Sequence, residues 1–191
     1  MRIKIEKYSS YWPLYFEKER VRIAAKLHQL SPIIEHIGST AIPDLIAKPT
    51  LDILIGIPEE KSLDDSIAGL QSLGYIYVEK FNSLMPYRRF FIKVHSTSPR
   101  NKERRKVIGP EDILPNREMH PRTHHIHLVH RNTQFYNKHI AFRNHLRKNA
   151  SDREMYALLK QQLAQQEWES GEQYAQAKSQ FIGQVLRNLG Y

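Results

Sequence analysis

Gly38, Ser39, Thr40, Lys48 and Asp52 stand close together in this sequence. Their types suit phosphate chemistry. Glycine lets the backbone approach an anion, and the N–H groups of such a turn can hold it together with the Ser39 and Thr40 hydroxyls. Lys48 can place an ammonium on the same phosphate, and Pro49 after it biases Lys48 to an extended conformation. Asp52 can hold a metal ion against the phosphate. A second concentration is histidine: His120, His124, His125, His127 and His130. On a strand, His125 and His127 share one face, while His124 and His130 take the other. The first two can ligate metal or act as a general base. Asp52, His125 and His127 are therefore the candidate catalytic residues and the candidate metal ligands. Imidazole favours manganese or zinc over magnesium. Histidines hydrogen-bonded without metal are the competing reading, and for Asp52 it is a salt bridge to a basic residue such as Lys48.

The positioning elements follow from pattern. Ile33–Ile37 and Thr50–Ile57 read as strands joined by the Gly-Ser loop. In the second, Leu51, Ile53, Ile55 and Ile57 share one face, and Asp52, Leu54 and Gly56 share the other. Arg2–Lys7 alternates like a short strand. A helix capped by Ser9 or Ser10 runs to about Leu30, with an apolar stripe from Trp12, Leu14, Phe16, Val21, Ile23, Ala24 and Leu27. Ser62 caps a helix that Gly74 ends. Strands follow at Tyr75–Glu79, Arg88–His95 and His124–His130. Thr133 or Asn132 caps a helix at Gln134–Lys148. Ser151-Asp152-Arg153-Glu154 has the capping-box pattern of a helix to about Trp168, and a last helix covers about Glu172–Leu189. Strands first and helices after indicate an α+β fold in one domain, residues 1–191, sheet-rich to about 131 and helical from about 132.

The string H-I-G-S-T-A-I-P-D-L-I-A-K-P-T-L-D-I resembles the GrpB family, a bacterial group assigned to the polymerase β-like nucleotidyltransferase superfamily. H-I-H-L at 125–128, F-R-N-H-L-R at 142–147 and Y-A-Q-A-K at 174–178 extend the resemblance over nearly the whole chain. It implies a nucleotidyltransferase-like mixed sheet with helices packed on it. It also implies a cleft lined by Arg143, Arg147, Tyr174 and Lys178 in addition to the turn. Arg88 and Arg89 begin a strand and point to opposite faces; Arg89 is carried as the phosphate clamp. One departure matters. Superfamily enzymes pair two carboxylates as Asp-x-Asp or Asp-x-Glu, whereas Leu54 fills the second position here. Two readings stand: metal-assisted nucleotidyl transfer, or nucleotide and phosphate binding without transfer. The second matches GrpB-like domains fused to dephospho-coenzyme A kinase, where they are thought to assist folding; here a protein partner would act in trans.

Composition narrows the classes. The net charge of +9 favours anionic partners. The absence of cysteine excludes disulfides, thiol nucleophiles and Cys-based zinc sites and fits the cytoplasm. No apolar run approaches a membrane span, and the start lacks a secretory apolar core. Nucleic-acid binding ranks last, because no recognition signature accompanies the charge. Residues 96–123 carry four prolines and the basic run R-N-K-E-R-R-K at 100–106. They read as a long loop, either a flap over the site or a solvated basic segment.

Overall fold

The computed structural model describes residues 2–95, 106–116 and 119–191. Of the segment 96–123 read as a flap or a solvated loop, residues 96–105, 117 and 118 lie outside the described residues. Lys106 stands at the start of β5, on the edge of the sheet opposite β1.

The sheet has six strands: β1 (Ile33–Ile37), β2 (Leu51–Ile57), β3 (Ile76–Val78), β4 (Arg88–Val94), β5 (Val107–Ile108) and β6 (Arg122–His130). Their order is β1-β2-β6-β4-β3-β5. β2 runs parallel to β6 and β3 to β5, and the other pairings are antiparallel. The β2–β6 register sets Asp52 beside His125 and Leu54 beside His127.

The alternation read in β2 decides what covers each face. Ile53, Ile55 and Ile57 join Ile126, Leu128 and Phe91 beneath α1 (Tyr11–Lys26) and α2 (Ile67–Ser72). Helix α1 contributes Ile23, followed by Leu27 and Leu30, whereas Leu14 and Val21 of the expected stripe are exposed. On the opposite face, α3 (Gln134–Lys148) lays Phe135, Tyr136 and Ile140 over Ile37, Leu54 and Val129. Gly56 is small for this reason, since a Cβ there would stand 2.7 Å from the Tyr136 ring. Helices α4 (Ala150–Ala164) and α6 (Ser179–Asn188) pack beside α3 and over Ile42 and Leu45, and between them α5 (Gly171–Gln176) sets Tyr174 against Ile3 and Leu163.

Several boundaries differ from the sequence reading. Residues 2–7 form no strand; Arg2 and Glu6 make isolated bridges to Glu167 and Ala47. Asn149, not Ser151, caps α4 by accepting from the Asp152 N–H, so the helix starts within a residue of the end of α3. The expected last helix is two, because Ala177 and Lys178 break it. The short strand β5 lies inside the segment read as a loop.

Candidate functional site

Beyond the end of β1 the chain turns sharply. Gly38 has φ +70° and ψ −173°, and a Cβ there would fall 2.3 Å from Asp52 Oδ2. Only glycine tolerates both the dihedrals and the approach. Ser39–Ala41 then form one 3₁₀ turn. Two α3 arginines anchor the segment: Arg143 donates to the His36 carbonyl at 2.9 Å and to Glu35 at 2.6 Å, and Arg147 donates to the Ala41 carbonyl at 2.9 Å.

This turn, β2, β6 and the α4–α6 region enclose a cavity of about 220 Å³. Its wall includes Ser39, Thr40, Lys48, Thr50, Asp52, His125, Lys160, Tyr174 and Lys178. Residues from five parts of the sequence meet here because α3 covers only part of its sheet face. Asp52 and His125 lie where that cover ends, and Leu54 and His127, two residues on, lie under it.

Asp52 is 28% exposed, and its Oδ1 lies 2.9 Å from His125 Nδ1. Burial pushes the Asp52 carboxyl up, but the His125 hydrogen bond, with His125, His127 and Lys178 nearby, holds it below its usual range. The ionised carboxylate takes the Nδ1–H, which leaves Nε2 as the basic nitrogen of His125. The partner that the sequence required for Asp52 is thus a histidine. Tyr174 lies on α5 and Lys178 in the α5–α6 break, with the Lys178 ammonium 4.3 Å from the Tyr174 ring centre. The Thr40 side chain is buried, its hydroxyl 3.0 Å from His36 Nε2 and donating to the Thr50 carbonyl.

Three candidates lie elsewhere. His127 shares a sheet face with His125, but its ring packs against Phe90, Phe135 and His139, and Arg88 stands 3.1 Å from its Nδ1. Burial and the Arg88 charge hold His127 neutral, well below its usual pKa. Arg89 points to the other face and pairs with Asp64 at 2.5 Å. Arg143 is spent on Glu35 and His36, so it shapes the turn instead of lining this cavity. The metal set of Asp52, His125 and His127 does not assemble: among the described residues, no three His, Asp or Glu side chains gather as a metal site. His125 Nδ1 faces Asp52, His127 lies beneath α3, and lysines share the cavity. This donor set does not fit a divalent ion.

Lys160 escaped the sequence reading. It is 2% exposed, donates to Ser39 Oγ at 3.1 Å and also donates to the Ile46 carbonyl. Burial and neighbouring Lys178 pull its pKa down to about 7. Tyr156, one turn earlier on α4, was a usable signal, because the two share a helix face with Leu163, and that stripe is buried.

The fold and cavity define a class: an α+β protein with a mixed sheet, helices on both faces and a lysine-lined pocket behind a Gly-Ser turn. A crystal structure titled conserved protein GrpB from Enterococcus faecalis superposes with a TM-score of 0.73 at 30% identity, covering 97% of this chain and 96% of that one. The GrpB protein family matches residues 2–188, and the chain belongs to it. Among relatives, a UPF0157 protein of Halalkalibacterium halodurans is 29% identical over 97% of this chain and 81% of its own length. The glutamate-rich protein GrpB of Alkalihalophilus pseudofirmus is 29% identical over 95% and 92%. Among the described residues, no helix is long and apolar enough to cross a membrane.

Proposed function

We propose that this protein binds an anionic small molecule, a nucleotide or another phosphorylated metabolite, in the cavity between the Gly38–Ala41 turn and helices α4–α6. The observation that carries this reading is the charge of the wall. Lys48 and Lys178, with Lys160 in the fraction protonated near neutral pH, surround a space that also holds the Ser39 hydroxyl, and its one carboxylate, Asp52, is hydrogen-bonded to His125. A phosphate entering there exchanges water for several charge-assisted hydrogen bonds. The pocket is small, so the phosphate enters and the remainder of the ligand extends out of it.

Binding without two-metal transfer is the version that Leu54 favours. Two-metal chemistry needs a second acid on the strand face of Asp52. That position is an aliphatic side chain with no exposure, packed under α3. Calorimetric titration with ADP and with pyrophosphate tests the proposal. Saturable one-site binding is expected, weakened about 10- to 100-fold in Lys178→Met, the worth of one hydrogen bond to a charged group. Absence of saturable binding to the wild type would reject it.

A further inference from the structure

Ser39 and Lys160 make a closer pair than anion binding requires. Lys160 arrives from α4 and is almost completely buried, with its Nζ 3.1 Å from Ser39 Oγ. Its other partners are the Ile46 carbonyl and the face of the Tyr156 ring, 4.9 Å away. Among the described residues no carboxylate pairs with it. A neutral amine suits these surroundings: it keeps one N–H on the Ile46 carbonyl, and at the same 3.1 Å its lone pair can accept from the Ser39 O–H, reversing the donation that the ammonium makes. With a pKa near 7, that form is well populated at neutral pH. Ser39 also borders two cavities. One is the lysine-lined space already described. The other, about 250 Å³, is walled largely by Ile42, Phe135, Phe142, Tyr156, Ile182 and Leu186.

We propose that Ser39 and Lys160 are a nucleophile and its general base, acting on an ester of an apolar carboxylic acid with an anionic alcohol. The apolar acyl group occupies the cavity under α3 and α6. The anionic alcohol occupies the lysine-lined cavity, a placement that rests on the anion-binding reading above. Ser39 Oγ attacks the carbonyl carbon while Lys160 Nζ takes the hydroxyl proton. The bond from that carbon to the alcohol oxygen breaks, and the Lys160 ammonium returns the proton to the leaving oxygen. Water, deprotonated by Lys160, then attacks the acyl-Ser39 ester; the bond from the acyl carbon to Ser39 Oγ breaks, the Lys160 ammonium returns the proton to Ser39 Oγ, and the acid leaves. One ester and one water give one acid and one alcohol.

Phenylmethanesulfonyl fluoride tests the pair on the full chain, read by intact mass and peptide mapping. It forms a bond from Ser39 Oγ to sulfur and expels fluoride. One adduct at Ser39 is expected, absent in Ser39→Ala. The labelling rate should fall about 100-fold or more in Lys160→Met and in Lys160→Arg, since neither side chain can accept the proton. Both variants are checked for folding by circular dichroism. If both unfold, selectivity in the wild type decides: an adduct at Ser39 alone supports the pair, and labelling scattered over other serines overturns it. An inert Ser39 in folded wild type, or undiminished labelling in a folded Lys160 variant, also overturns it. Inorganic phosphate separates the two readings. If it slows labelling, the anion and the nucleophile share the site; if Lys160-dependent labelling persists unchanged at saturating phosphate, the pair stands and the anion-binding reading falls.

Discussion

Gly38 is the residue on which the site's geometry turns most sharply. Its dihedrals belong to a region that side chains avoid, and Asp52 occupies the space a Cβ would take. Gly38→Ala should cost about 1–3 kcal/mol in urea unfolding and weaken phosphate binding, because relief comes only by moving Asp52 off His125. Lys160 supplies the pH dependence. Folding lowers its pKa from 10.5 to about 7, so between those values the unfolded chain holds the extra proton. Stability contributed by this residue therefore rises with pH across that window, and the full cost of the buried ammonium is present below about 7. Unfolding curves of wild type and Lys160→Met should differ in that slope. Sulfate, whose charge is fixed over this range, should bind the wild type more weakly as pH rises from 7, and Lys160→Met should flatten the trend. Gly38, Ser39, Lys48, Asp52 and His125 were legible because strand alternation and a Gly-Ser turn are local patterns. Lys160 was not, because a lysine on an amphipathic helix reads as solvated until the packing of α4 against a turn far away in sequence is known.

At the scale of elements, α3 decides which β2 and β6 residues can meet a ligand. Its Phe135, Tyr136 and Ile140 cover Leu54, and Phe135 packs on the His127 ring, whereas Asp52 and His125 line the cavity. Leu54→Ala should cost about 2–5 kcal/mol, measured by chemical denaturation, as an aliphatic side chain with no exposure leaves a cavity. Leu54→Asp, which restores the carboxylate pair on paper, should fail to fold stably, because it buries a charge under aromatic rings. Arg143→Met should destabilise the fold by about 1.5–3 kcal/mol by leaving the His36 carbonyl and Glu35 without their donor. The period-2 pattern of β2 forecast its two faces, and histidine spacing forecast those of β6. What escaped was cover: periodicity says that His125 and His127 share a face, and only the position of α3 separates them. The break at Ala177–Lys178 escaped too, since neither residue is a helix breaker.

For the whole molecule, a mixed sheet closed on one face by α1 and α2 and on the other by α3–α6 leaves one corner where a turn, two strands and two helices meet. The chain's charge of +9 has local expression there as Lys48, Lys160 and Lys178, which line the cavity beside one carboxylate, Asp52. The α+β class and the GrpB family were legible in the sequence; the division of the expected site into an open half and a covered half was not. The most direct test of the central claim is a crystal structure of the protein soaked in pyrophosphate. The account predicts an anion within hydrogen-bond distance of Ser39 Oγ and the Lys178 ammonium. Density for pyrophosphate elsewhere, with ordered water alone in that cavity at saturating ligand, would contradict it.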